Sequence, residues 1–517
     1  MREAVVEATV RLVPVSVTSS FQPMILFCLK HFRLLAGAPA RAGAARSCYR
    51  KTPHLRRPGV FWASCLMALA LQPWGAMTHA AEDLKVHSKT LENGLEVFVK
   101  VDNRAPVAVS MVWYRAGGMD ETGGTTGVAH VLEHMMFQGT RTTAPGEFAR
   151  LIAQVGGRSN AFTASDYTGY FQELHKSNLE LALRLEADRM VNLNLDEQEF
   201  DKELRVVMEE RRQRVDDNPH ALVYERLNAA MYMAHPYRQP VVGWMSDLEN
   251  LQLNDARAWY EAWYAPNNAI LVVAGDVEPE AVFSLAEKYF GAIEARALPA
   301  RKPRAEPEQT GIRRVVVKAP SRLPTMTMAY HAPRLADVEG DWEPYALSIL
   351  AGVLDGYSAA RLERELVRNA RVANSVSSDY DGLRRGPGAF FVSFTPAQGK
   401  TVEDVERAWR NQLELLVSEG VRDDELQRVK SQVVASQVYS EDSVYGQAAR
   451  IGRMRSLGLP HDAATTITER LRGVTSEQVR EVARKYLIDD KLTVAVLVPE
   501  DVTTADIGDG PKEMEAE

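Results

Sequence analysis

The residues His130, Glu133 and His134, within His130-Val131-Leu132-Glu133-His134, combine two imidazoles and a carboxylate at helical spacing. At 100° per residue the two histidines lie about 40° apart, and Glu133 lies about 60° to the other side of His130. Val128, Val131, Leu132, Met135 and Met136 take the opposite arc. The chemistry this trio suits is a zinc ion held by His130 and His134, with Glu133 as the base that activates a water. The order is H-x-x-E-H, the reverse of the commoner H-E-x-x-H.

Two histidines need a third protein ligand. The three cysteines, Cys28, Cys48 and Cys65, all precede residue 82, so the rest of the chain offers only histidine and carboxylate. A helix is expected from about Asp196 to Arg214, with Phe200, Leu204, Val207 and Met208 as its core stripe. Measured from Phe200, Glu203 falls near about −60° and Glu210 near about −80°, flanking that stripe, while Glu209 falls near about 180°, toward solvent. Periodicity selects Glu203 and Glu210 over Glu209 and does not rank the two.

The elements that position these groups occur twice. Val97-Phe98-Val99-Lys100 through Arg104 and Pro106 is echoed by Val315-Val316-Val317-Lys318 through Arg322 and Pro324, with Lys, Arg and Pro at one constant offset of 218. Each segment reads as two strands joined by a polar turn. Tyr264 and Tyr486 each end a helical pattern that leads into a buried strand, Ala269–Gly275 and Leu492–Leu497. The expected class is α+β: two duplicated roll-like α/β domains, each a mainly antiparallel sheet packed with helices. The expected boundaries are 82–295 for the domain with the zinc motif, 296–309 for a Pro/Arg/Glu-rich linker, 310–507 for the second domain and 508–517 for an acidic tail. The second copy, at Tyr345 to Leu354, has no histidine, so one half carries the chemistry.

A net charge of −8 gives no basic footprint for nucleic acid. Residues 1–81 differ from the rest: no acid occurs between Glu7 and Glu82, basic residues cluster from Arg33 to Arg57, and an apolar run spans Gly59 to Leu71. This reads as a signal segment cleaved near Ala80, implying export to a periplasm; a mitochondrial matrix transit peptide is the alternative. The apolar run is short for a membrane span.

The segment Gly-Val-Ala-His-Val-Leu-Glu-His-Met-Met-Phe-Gln-Gly-Thr around His130, Glu133 and His134, with Asn160-Ala161-Phe162-Thr163 and the Glu203/Glu210 pair, resembles the pitrilysin and mitochondrial processing peptidase family, the inverzincins. The resemblance covers nearly all of the chain after the targeting segment. It implies a zinc endopeptidase of half-length bacterial type, with one zinc per chain, acting on peptides or unfolded segments. It assigns the third ligand to Glu210, which follows His134 by 76 residues, the family interval, and makes Glu203 the group that orients a ligand or the water. It also makes Asn160, Ala161 and Phe162 part of an edge strand to which substrate adds as a further strand. His175, His220, His235, His331 and His461 are expected to be structural or exposed, while Tyr224, Arg226 and Tyr237 follow the Glu helix toward the cleft.

One family feature is absent. Active members carry an Arg and a Tyr seven residues apart in the second half; here Val367 and Asn374 stand at those positions, with Arg368 and Arg371 nearby. The implied remedy is a same-fold partner subunit that supplies the pair, or a homodimer. Two other readings within the family are a non-catalytic peptide-binding or structural subunit and an organellar presequence-processing peptidase.

Overall fold

The computed structural model describes residues 85–440 and 442–500. The targeting segment, the three cysteines and the acidic tail lie outside the described residues. Eleven strands in this region form two sheets. The first contains β1 (Val86–Thr90), β2 (Glu96–Val101), β3 (Val107–Tyr114), β4 (Arg158–Thr163), β5 (Thr168–His175) and β6 (Ala269–Gly275), in the spatial order β1-β2-β6-β3-β5-β4. The second contains β7 (Arg313–Pro320), β8 (Thr325–Ala332), β9 (Ala373–Asp381), β10 (Gly388–Pro396) and β11 (Leu492–Glu500), in the order β7-β11-β8-β10-β9.

Without β1, the two orders are the same. Lys100 and Lys318, equivalent in sequence, lie on the equivalent strands β2 and β7. Each sheet is antiparallel except where its first duplicated strand pairs with its last: β2 with β6 and β7 with β11 are parallel. A parallel pair needs a long crossover, and here the intervening strands and helices of each half provide it. The α+β class with two matching units is thus the observed architecture.

The helices of the first half are α1 (Val128–Met135), α2 (Glu147–Gln154), α3 (Leu179–Asn192), α4 (Glu197–Arg211), α5 (Pro219–Met231), α6 (Met245–Leu248), α7 (Leu253–Trp263) and α8 (Pro279–Phe290). Those of the second are α9 (Glu343–Asp355), α10 (Val402–Glu419), α11 (Asp423–Ser440), α12 (Val444–Ser456), α13 (Ala463–Gly473) and α14 (Ser476–Tyr486). The second-half segment expected to match the zinc motif is α9, whose Leu347, Leu350 and Ala351 are fully buried core residues.

Sequence continuity and packing part company at two helices. From the first half, α5 lies on the second sheet, with Val223, Leu227 and Met231 against Val317, Ala329, Ala389 and Leu497. From the second half, α12 lies on the first sheet, across β3 and β6. Its ends are tied down: Arg455 donates to Glu96 (2.8 and 3.0 Å) and Gln447 to Asp102 (2.8 Å). Mid-helix Gly452 is required by close approach, because a Cβ there would sit 2.1 Å from Nε1 of Trp113. The stretch 296–309 has no helix or strand but is strapped to the body. Arg301 pairs with Asp120 (2.9 Å), and Glu306 accepts from the backbone N–H groups of Met233, Ala234 and His235 (2.7–2.9 Å).

No helix among the described residues is long and apolar enough to cross a membrane. The exchange of helices makes a stability prediction. Gly452→Val should push α12 off Trp113 and lower unfolding stability by about 1–3 kcal/mol, the usual cost of overpacking. Denaturant unfolding followed by tryptophan fluorescence measures it; an unchanged midpoint would refute the close contact.

Candidate active site

The first turn of α1 is set by Gly127 and Glu121. Gly127 is in the left-handed region at φ 90, where L side chains are disfavoured, and a Cβ there would meet the Val242 carbonyl at 2.7 Å. The buried Glu121 carboxylate accepts from the N–H groups of Gly127 and Ala129 (both 2.9 Å), satisfying donors that the helix start leaves unpaired. Burial lifts its carboxyl to about 8 against the pull of those two amides. Val128, Val131, Leu132, Met135 and Met136 pack inward, as their arc predicts. The polar arc is covered as well: His130 and Glu133 are buried, because α4 packs across it.

Asp196 starts α4 by accepting from the N–H groups of Gln198 (2.9 Å) and Glu199 (3.2 Å). Phe200 and Val207 are buried, and Glu209 faces out to Arg212, as expected. Glu203 and Glu210 face α1 from positions about two turns apart. Oε2 of Glu210 lies 3.7 Å from His130 Nε2 and 3.8 Å from His134 Nε2. Oε2 of Glu203 is 3.0 Å from His134 Nδ1, and its Oε1 accepts from Gln138 (2.7 Å).

These distances separate the two glutamates that periodicity could not rank. Glu203 bonds the outer nitrogen of His134 and so orients the ring. Glu210 faces the inner nitrogens of both histidines at a separation too long for hydrogen bonds. Ligand atoms about 2.0–2.1 Å from a tetrahedral zinc stand about 3.3 Å apart. One ligand atom from each of His130, His134 and Glu210 falls within 4.8 Å of the others, and Oε2 of Glu210 is buried with no hydrogen-bond partner. Two imidazoles and a carboxylate converging with an idle buried oxygen fit a zinc ion.

Burial, then the neighbouring His134 and Arg214, pushes the His130 imidazole down to about 3, so it is neutral and ready as a ligand at neutral pH. His134 goes the other way. Burial pulls it down, but the Glu203 hydrogen bond and the surrounding carboxylates raise it overall.

Glu133 accepts a hydrogen bond from Thr163 at the end of β4 (2.5 Å), and burial lifts its carboxyl to about 6, in a range suited to a base near neutral pH. It opens into a cleft of about 600 Å³ that also contains His130, His134, Glu203, Glu210 and Asn160 to Thr163. The edge strand β4 forms one wall. Asn160 is exposed, with its side chain turned back to the Ala161 N–H (2.8 Å). Phe162 is both cleft wall and packed aromatic, edge-on to Trp113 (4.9 Å).

The facing wall comes from the second half as Asp381, Leu383, Arg384 and Arg453. Arg368, Arg371 and Asn374 are not part of it; Arg368 instead bonds the Ser358 carbonyl. Tyr224 lines the cleft, whereas Arg226 lies over Trp244 (5.9 Å) and Tyr237 bonds Asp166 (2.6 Å). Buried His235 accepts from the Tyr237 N–H (3.2 Å), and His331 bonds the Met231 carbonyl (3.1 Å), both structural contacts.

Four contributors escaped the sequence reading. Gln138 sits four residues beyond His134 and Arg214 four beyond Glu210, spacings that could have signalled them. Arg384 and Arg453 had no local signal, because only the folding together of the two halves brings them here.

The contact between Glu203 and His134 predicts a measurable effect on metal affinity. Glu203→Ala should weaken zinc binding about 10–100-fold, the usual cost of losing a partner behind a ligating histidine. His130→Ala should lose the ion altogether. Competition with a chromogenic chelator reads both; equal affinity for wild type and Glu203→Ala would discount the positioning role.

Known proteins similar to this chain identify its family. The profile of insulinase (peptidase family M16) matches residues 96–243, and that of the peptidase M16 inactive domain matches residues 250–433. A curated relative, zinc protease PqqE of Helicobacter pylori, is 37% identical over 319 residues, covering 60% of this chain and 71% of its own. The mitochondrial-processing peptidase subunit beta of Lentinula edodes is 25% identical over 423 residues, 78% of this chain and 88% of its own. The crystal structure of a protease from Helicobacter pylori superposes with a TM-score of 0.76 at 30% identity, covering 80% of this chain and all of that one. Two adjoining profiles and a relative of this identity leave no ambiguity of family, and the chain is a member of peptidase family M16.

Proposed function

We propose that the chain is a zinc-dependent endopeptidase that hydrolyses peptides or unfolded segments. The observation that carries this reading is the convergence of His130, His134 and Glu210 beside the buried carboxylate of Glu133. When bound, zinc supplies Lewis acidity toward a carbonyl oxygen and makes water acidic enough to ionise near neutral pH. Glu133 takes the proton from the attacking water and hands it to the departing amine. Thr163 holds that carboxylate in place, and Glu203 holds the His134 ring. Substrate adds along the unpaired edge of β4, where main-chain bonding gives affinity with little sequence preference; Asn160, Ala161 and Phe162 are the contact residues.

A same-fold partner subunit completes the site with an Arg and a Tyr; a homodimer is the alternative assembly, but a second copy repeats Val367 and Asn374 and so brings no such pair. The specific observation behind this is that Val367 and Asn374 stand at those positions and Arg368 and Arg371 are directed elsewhere than the cleft. The acid-poor leader with its apolar run supports export to a periplasm; the likeness to a mitochondrial-processing subunit supports a matrix location as the alternative.

Glu133→Gln should keep zinc and lose peptide hydrolysis by at least about a thousandfold, within the range of a lost general base. Elemental analysis with a quenched-fluorescence peptide assay, with and without chelator, decides it; hydrolysis by the metal-loaded variant refutes the assignment. Full activity of the purified monomer on its own would refute the need for a partner.

A further inference from the structure

Three guanidinium groups reach the walls of the cleft: Arg214, Arg384 and Arg453. Two are already engaged with acids. Arg214 donates to Glu210 (3.1 Å), while Arg384 pairs with Asp381 (3.0 Å) and lies 3.8 Å over the Tyr237 ring. Arg453 differs. Its Nη2 donates to the Leu383 backbone carbonyl (3.2 Å), and no carboxylate among the described residues pairs with it; its Nε is buried without an acceptor, as is that of Arg384. A guanidinium carries five N–H donors and a permanent charge, and away from bulk water that charge is costly until an anion compensates it.

The position of this cation is fixed by the exchanged helix that carries it. Its neighbour Gly452 is pressed on Trp113, Ser456 bonds the Gly452 carbonyl (2.7 Å), and Arg455 is tied to Glu96. Trp113 in turn meets Phe162 of β4 edge-on and Tyr167 at 5.0 Å. One indole therefore links the helix bearing Arg453 to the strand along which substrate is expected to lie. A cation held on a rigid element beside a peptide track is pre-organised to recognise a negative group.

We propose that Arg453 reads a carboxylate of the substrate, so that the cleft prefers peptides carrying an Asp or Glu side chain, or a free C-terminal carboxylate, close to the scissile bond. This rests on the peptidase reading above and adds to it the charge class of the substrate. Arg214 and Arg384 leave Arg453 as the cleft cation whose charge is not already matched, so the preference follows from Arg453 in particular.

The test uses a neutral amidated quenched-fluorescence peptide and two matched carboxylate series: the same peptide with Glu placed in turn at each position, and the same peptide with a free C-terminus. The full-length zinc-loaded protein should cleave one of the two carboxylate series with kcat/KM at least about tenfold above the neutral peptide, and the series favoured identifies the source of the carboxylate. Arg453→Met should bring that ratio to about one, mainly through KM, and Arg453→Glu should transfer the preference to a matching Lys peptide. Arg453→Lys, which keeps the charge, should retain most of the preference.

A wild-type ratio near one, or a ratio unchanged in Arg453→Met, overturns the proposal. Binding of the same peptides to Glu133→Gln protein by fluorescence anisotropy separates the two ideas. Carboxylate-selective binding that depends on Arg453, in a protein whose wild type never cleaves, would defeat the peptidase reading and leave the role of Arg453 standing.

Discussion

The central strands of the first sheet are apolar on both faces, and the second sheet carries an apolar patch on its outer face (Val317, Ala329, Ala389, Ala495 and Leu497). Each half of the chain covers only one face of its own sheet. In β6, all seven residues are buried: Ile270, Val272 and Ala274 on one side, Ala269, Leu271, Val273 and Gly275 on the other. The second side meets helices from its own half. The first is covered by α12 from the other half, just as α5 covers the outer side of the second sheet. An uncovered apolar sheet face of this size would be a strong liability in water, so neither half is complete without the other. That mutual covering sets the distance between the halves and thereby forms the cleft.

The active-site geometry inherits this arrangement. Zinc chemistry needs ligands that are neutral or anionic as required, held without freedom to relax. Burial supplies the first condition for His130, whose imidazole is driven far below its usual range, and it lifts Glu133 toward neutrality. Rigid caps supply the second: Glu121 at the start of α1 and Asp196 at the start of α4 fix the two helices across which the four groups converge. The second half contributes a wall, and with it two cations that no analysis of the first half alone would place there.

The duplication shows how one topology serves two ends. After β3 comes a helix with His130, Glu133 and His134; after β8 comes α9, whose interior is almost wholly apolar, with Leu347, Ile349, Leu350, Ala351 and Val353. In the first unit α4 turns two glutamates toward α1, where Glu203 bonds His134 and Gln138 while Glu210 faces both histidines with one buried oxygen unpartnered. In the second the same place is filled with side chains that need no partner, which is the simpler solution to burial. The family name of an inactive domain, matched over residues 250–433, accords with that difference.

Much of this was legible in the residues themselves. The 218-residue offset identified equivalent strands because register and turn chemistry are local and repeat with the sequence. Helical periodicity put His130, Glu133 and His134 on one arc and excluded Glu209, since both follow from 3.6 residues per turn. It could not rank Glu203 against Glu210, because both flank the same stripe; the separation came only when α4 was laid on α1 and Glu210 met the inner nitrogens of both rings. The exchange of α5 and α12, and the arrival of Arg384 and Arg453 opposite β4, depend on which sheet face each helix covers. Amphipathic patterning states that a helix must bury one face and is silent about whose surface it will bury it on, so that choice belongs to the tertiary structure.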